Sequence, residues 1–550
     1  MSANGETGAA WSYHDATKHS WASVRTGAHM MDFTNQPRPW KLYEAELPAI
    51  DLGGEPAASG ANALDALRGP SETGARSFAS LRMTGLGGPR VSSATVSFSP
   101  EPERGAEAHS QIAAGLTLPR IAALLLLSAG VTKQLSLPGG TMRFRAAACT
   151  GALYHIELYL VTADLPGLPA GVYHYGAHDN RLRLLWAGDF RDAVARATSG
   201  EPAVSGAQAV IAYTTTYWRN AWKYGARAYR HAFWDSGTII ANTLATASAH
   251  GIAASVVTGF VDDDVNRLLG VDGETEAAVA LVPLGRAAAP PPDAPSVEPL
   301  ALGTVPLSRE EIDFPAIRAM HAASSLGPDD DVAAWRRNGA PQAEAGAGEV
   351  VALPETSGSG RGLEDTIARR GSSRRFERAP VTLTDAAAVL GAAGHRVPLD
   401  ATAPEAPALT EAYVIANGID GVPPGAYRYL RGEGRDRPAL ERLHAGEVRE
   451  AAAHLDLDQP LGGDAAFNVY FLADLHTLLG QLGNRAYRAA HLDASIAAGR
   501  LYLAAYAMGL GATDLTFYDD EVTEFFGPSA ADKSVMFLIA VGVPAGRRSP

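Results

Sequence analysis

This chain repeats itself, and the repeat constrains the fold more than any other feature. The core of Trp222-Lys223-Tyr224-Gly225-Ala226-Arg227-Ala228-Tyr229-Arg230 returns 258 positions downstream as Gln481-Leu482-Gly483-Asn484-Arg485-Ala486-Tyr487-Arg488. Gly, Arg, Ala, Tyr and Arg recur in register, whereas Lys223 is replaced by Gln481 and Tyr224 by Leu482. Three further blocks recur in the same order: residues 167–175 as 421–429, 251–254 as 509–512, and 278–284 as 535–541. An ordered set of this kind signals two copies of one α+β unit. Tandem copies dock as a pseudo-symmetric pair, the one-chain form of a two-fold dimer.

The boundaries follow from composition. Residues 1–50 are aromatic and basic (Trp11, Tyr13, Trp21, Arg25, Phe33, Trp40), too aromatic for a disordered tail, and are expected to form an arm packed on the domains. The first copy is expected over 51–290 and the second over 361–550. Between them, 291–360 is Pro- and Gly-punctuated linker with a short helix near 314–323. Within the first copy a helix begins after Thr117, strands fall at 154–162, 172–175 and 277–283, and a helix over 235–250 stops at Gly251.

A net charge of −14 argues against nucleic-acid or anionic-membrane binding, since both need basic surface. The apolar run 121–131 is far short of the roughly 20 residues that span a bilayer. The N-terminus lacks a signal-peptide pattern, so a cytoplasmic protein is expected. One cysteine, Cys149, rules out an internal disulfide framework and a multi-Cys metal site, and no histidine pair has ligand spacing, so no metal is expected. The acidic runs 261–264 and 518–521 recur between copies and read as helix N-termini with a structural role. No G-x-G-x-x-G follows a strand, so no Rossmann site for NAD(P) is evident.

The second copy opens with Arg369-Arg370-Gly371-Ser372-Ser373-Arg374-Arg375-Phe376, a dense set of phosphate donors, and the first copy shows no equivalent. Arg370-x-Ser372-x-Arg374-x-Phe376 resembles the opening motif of the FMN-dependent nitroreductases. Within them the chain is similar to the SagB-type azoline dehydrogenases. The arm (Tyr13 to Ser20 and Asn35 to Pro39), the 145–159 segment and Lys223-Tyr224 carry that resemblance. Their P-S-A-G-x-L-Y-P loop stands here as Ala148-Cys149-Thr150-Gly151-Ala152-Leu153-Tyr154-His155, with both prolines and the serine replaced.

The resemblance implies two fused nitroreductase-like domains, each a mainly antiparallel sheet flanked by helices, docked as an intramolecular pseudo-dimer. It implies bound FMN, with Arg370, Ser372 and Arg374 on the phosphate and ribityl chain and Cys149, Thr150, Gly151 and Ala152 along the ring. Leu515, Thr516 and Phe517 then pass the flavin N5 edge, and Arg547 completes the phosphate grip. Grip and loop survive in different copies, which predicts one flavin site per chain. Lys223 and Tyr224 are implied as the catalytic pair, Lys223 as a base once burial lowers its pKa. The implied reaction oxidises a thiazoline or oxazoline to the azole on a peptide, free or carrier-bound. Hydride passes to flavin, O2 reoxidises it, and a cyclodehydratase or synthetase is the partner. NAD(P)H-driven nitro or quinone reduction and a non-catalytic scaffold role are the alternatives.

Overall fold

A computed structural model describes residues 3–26, 29–53, 56–69, 115–137, 140–300, 302–328, 332–337, 348–356, 358, 360–403, 406–432 and 437–546. Its strands are β1 (Ala49–Asp51), β2 (Val131–Leu137), β3 (Gly140–Arg145), β4 (Ile156–Thr162), β5 (Gly171–Gly176), β6 (Arg181–Ala187), β7 (Ala209–Thr216), β8 (Glu276–Leu284), β9 (Val350–Ala352), β10 (Phe376–Glu377), β11 (Glu411–Ala416), β12 (Gly425–Leu430), β13 (Ala439–Ala445), β14 (Phe467–Ala473), β15 (Gly511–Asp514) and β16 (Ser534–Pro544).

The first sheet runs β1-β6-β5-β4-β7-β8, and the second carries the matching order β9-β13-β12-β11-β14-β16, extended by β10 and β15. Every named strand pair is antiparallel. The two-copy α+β architecture is therefore present strand for strand. β4 and β7, central in the first sheet, are buried along their whole length, as expected of strands covered on both faces, and so is β8 at its edge. The edge strands β1 and β9 come from the arm and the linker, each only three residues long and too short to show a period in sequence. The linker helix forms at Pro315–Ala323.

The helix expected over 235–250 is longer, Ala228–Ala249, because the aromatic and arginine residues ahead of it continue the turn. It packs against its counterpart, Arg485–Ala507, on the pseudo-two-fold axis. Equivalent positions meet each other there. A Cβ on Gly237 would overlap the Ser495 side chain, and one on Gly499 would stand 2.6 Å from Ala241 Cβ. Glycine on one side of each contact lets the backbones approach.

The acidic runs do begin helices, Asp262–Leu269 and Asp519–Phe526, but each first aspartate does more than cap. Asp519 receives Arg230 Nη1 at 2.6 Å from the first copy's long helix and Arg227 Nη1 at 3.1 Å from the turn just before it, all buried. Asp262 receives Arg485 at 2.6 Å and Arg488 at 2.7 Å from the second copy's. The repeated Arg-Ala-Tyr-Arg block is thus a reciprocal ionic clasp between copies. The arm shares it: Arg230 Nη2 donates to His14 O and Nε to Thr17 Oγ1. The arm's helix, Gly8–Ala16, also docks on both copies, through Tyr13 OH on Ala226 O and His14 against Tyr487.

Candidate active site

A cavity of about 860 Å³ lies between the copies, inside the range of pockets that enclose a cofactor and substrate. The first copy contributes Cys149, Thr150, Gly151, Ala152, Lys223 and Tyr224; the second contributes Arg370, Ser372, Arg374, Leu515 and Thr516. One expected residue among those described is not on its wall. Phe517 is fully buried, its ring packed against Trp234 and the Arg227 guanidinium. Arg547 lies outside the described residues.

The 149–154 loop holds an unusual backbone. Gly151, Ala152 and Tyr154 all have positive φ (61°, 54° and 51°), two of them without glycine's freedom, and such strain persists only where surroundings over-determine it. Asp235, buried in the long helix, does this. It accepts from Thr150 N, Thr150 Oγ1 at 2.9 Å, Cys149 Sγ at 3.0 Å and His155 Nε2 at 2.8 Å. Burial, then the Asp235 charge, pushes the Cys149 thiol up, so it stays protonated and serves as a donor. Cys149, His155 and Asp235 have ligand atoms within 4.8 Å of one another, a spacing a metal ion accepts. Here Asp235 Oδ2 takes hydrogen bonds from both Cys149 Sγ and His155 Nε2. Asp493, 258 positions beyond Asp235, binds Thr410 N and Oγ1 in the same way. A charge retained in both copies inside an apolar helix was the signal that marked Asp235.

Lys223 and Tyr224 end the helix Tyr217–Tyr224, and Gly225 (φ 55°, ψ −142°) turns the chain back in a conformation reserved for glycine. Gly151 sits beneath both side chains: a Cβ there would stand 2.9 Å from Tyr224 OH and 3.3 Å from Lys223 Nζ. Lys223 Nζ lies 5.1 Å from the Tyr224 ring and has no carboxylate partner among the described residues. Burial, then the charges of Asp235 and Asp514, raises the Tyr224 phenol far above its ordinary value, so it remains a hydrogen-bond donor. His231 packs edge-on against Tyr224 at 4.5 Å and is fixed by Asn220 Oδ1, with burial and Arg227 keeping it neutral.

Across the cavity the arginines divide. Arg370 is buried, with Nε on Ala146 O at 2.6 Å and Nη2 on Arg145 O at 3.1 Å, so it ties the second copy to the first copy's loop. Arg374 is exposed and ion-pairs with no described residue. Ser372 Oγ meets Tyr502 OH at 3.0 Å, which donates to Asp514. Thr516 Oγ1 is buried without a partner among the described residues. Lys133 and His19 also line the cavity, and sequence reading missed both. Lys133 donates to Arg369 O and Arg370 O, and burial followed by those arginines pulls it down to about 8. Burial, then Arg227, lowers His19 to about 3.

The mirror position is filled. Trp335 and Arg336, from the linker helix Val332–Arg337, enter it. Trp335 Nε1 donates to Leu482 O, the residue in Tyr224's place. Arg336 reaches Asp400 at 2.9 Å, Thr198 O and Gly259 O, with Glu201, the counterpart of Gln459, at 3.4 Å. Thr258 N, Thr258 Oγ1 and Gly259 N all grip the Asp400 carboxylate. Thr516, in Thr258's place, lines the open cavity, and its hydroxyl finds no such carboxylate among the described residues. Arg336→Ala is expected to destabilise the fold by about 3 kcal/mol, because Asp400 stays buried without its cation. The bound-flavin ratio should not rise; urea unfolding and flavin absorbance on one sample check both.

The Nitroreductase family matches residues 141–286 and 367–543, one span in each copy. The chain belongs to the nitroreductase family. It is therefore placed among flavoprotein oxidoreductases. It is 25% identical over 171 residues to MJ1384 of Methanocaldococcus jannaschii, a protein classed as a nitroreductase, covering 31% of this chain and 81% of that protein. It is 28% identical over 180 residues to the trifolitoxin-processing protein TfxB of Rhizobium leguminosarum bv. trifolii, covering 30% of this chain and 46% of TfxB. A crystal structure from Anabaena variabilis, of a protein classed as a nitroreductase, superposes over 98% of this chain and 99% of its own, with a TM-score of 0.73 and 24% identity. That likeness establishes the two-domain fold. No helix among the described residues is long and apolar enough to cross a membrane.

Proposed function

We propose that the chain is an FMN-dependent azoline dehydrogenase of the SagB type, oxidising a thiazoline or oxazoline in a peptide to the azole. The observation that carries this is Lys223 with Tyr224, held over the Gly151 loop in the one copy whose cavity is open. The similarity to TfxB, named as processing trifolitoxin, adds support. The cavity fits FMN: Arg374 and Ser372 suit its phosphate and ribityl chain, and the unpartnered Thr516 hydroxyl suits a ring heteroatom. Bound there, FMN supplies the acceptor for a hydride.

The chain's own residues supply the rest. Lys223, free of any carboxylate among described residues, takes the proton from the ring α-carbon. Tyr224 stays a phenol and orients the heterocycle by donation. The Asp235 network keeps the 149–154 loop in place beneath them. With Trp335 and Arg336 in the mirror position, one cofactor binds per chain. A peptide-processing partner, cyclodehydratase or synthetase, supplies the azoline.

Mixing flavin-loaded protein with a synthetic thiazoline peptide under anaerobic conditions should bleach the flavin and yield thiazole one-for-one. Rapid bleaching by NAD(P)H, with no thiazole formed, would instead assign the chain to nitro or quinone reduction.

A further inference from the structure

β2 and β3 form a ribbon of their own, paired only with each other among the described strands. Lys133 stands opposite Phe144, and Leu135 opposite Met142. Side chains two apart on a strand, and directly opposed across a pair, share a face. Lys133, Phe144 and Met142 line the cavity, so that face is its wall, and Leu135 and Met142 continue the wall outward. These two are 41% and 47% exposed. The arm borders the cavity through His19, and Trp21 beyond it is 58% exposed. Of eight exposed large apolar side chains among the described residues, six stand on the arm or this ribbon. Such concentration marks a binding surface rather than scattered exposure.

We infer that the Leu135–Met142 face of the ribbon is the docking track for the substrate's peptide chain, an extended apolar segment leading away from the ring held in the cavity. This rests on the proposed peptide substrate. The track is continuous with the cavity wall through Met142. Its apolar positions repeat every second residue, the period of an extended chain, and a two-stranded ribbon leaves edges for a third strand to pair.

The test compares two probes on the flavin-loaded full chain. One is a ten-residue peptide with a central thiazoline flanked by leucines, and the other a thiazoline amide lacking any peptide. In the variant L135E, at the one exposed position of the track that does not line the cavity, KM for the peptide should rise at least about 10-fold, the scale of uncovering an apolar side chain. KM for the amide and the flavin content should not change. Equal changes for both probes, or none for either, would overturn the track while leaving the reaction in place. So would a wild-type dimer that L135E converts to monomer with the KM ratio unchanged, since the face would then serve self-association. A wild-type chain that oxidises neither probe overturns the reaction itself, and the track with it.

Discussion

Lys223→Ala is expected to lower thiazoline oxidation by about 10² to 10⁴, the range that loss of a positioned base costs. Bound flavin should stay at its wild-type ratio, because the cofactor contacts proposed here lie on the 149–152 loop and on the second copy. Lys223→Gln is the sharper version, since it installs the residue that the chain itself carries at Gln481 in the closed copy. It keeps a polar side chain of nearly the same length while removing the basic amine. Tyr224→Phe should cost less, because the phenol is held protonated and acts by donation. Stopped-flow bleaching of the flavin by a thiazoline peptide reads the chemical step directly. A Lys223→Ala chain that reduces its flavin at the wild-type rate would remove Lys223 from the mechanism.

Asp519→Ala is expected to destabilise the protein by about 3 to 5 kcal/mol, the cost of stranding buried charge. It leaves Arg227 and Arg230 inside the interface between the copies, one of them with no exposure at all. The same change at Asp262 strands Arg485 and Arg488 and should cost as much. The clasp also predicts a pH dependence. Burial alone would raise both carboxyl pKa values, but the paired arginines outweigh it and hold them below the usual range. A depressed folded-state pKa gives stability that is present above the unfolded value, about 3.9, and is lost as pH falls through the folded one. Wild-type stability should therefore fall below about pH 4 with a steeper slope than Asp519→Ala. Urea midpoints measured from pH 7 down to 3 on both proteins would show it.

The repeat made the architecture legible, because strands and turns such as 167–175 and 421–429 kept their residues while the two copies diverged elsewhere. The clasp was half legible: the Arg-Ala-Tyr-Arg block and the acidic runs each recurred, but nothing local says that each arginine pair reaches the other copy's aspartate. Other parts left no local trace. The β2–β3 ribbon alternates polar and apolar residues over a short span in which neither face is fully buried. Trp335-Arg336 interrupts a Gly- and Ala-rich linker with no period, and only the pseudo-symmetric fold reveals that it packs beside Leu482, the counterpart of Tyr224. Arg370 reads as a phosphate donor by motif, whereas its neighbours make it a tie between copies.

One open site and one closed site in a single chain is the centre of this account, and flavin stoichiometry tests it most directly. Protein saturated with FMN, freed of excess by gel filtration and then denatured, should release one FMN per chain by absorbance. A ratio of two would mean that Trp335 and Arg336 do not hold the second position and that the symmetry is intact, which would contradict it.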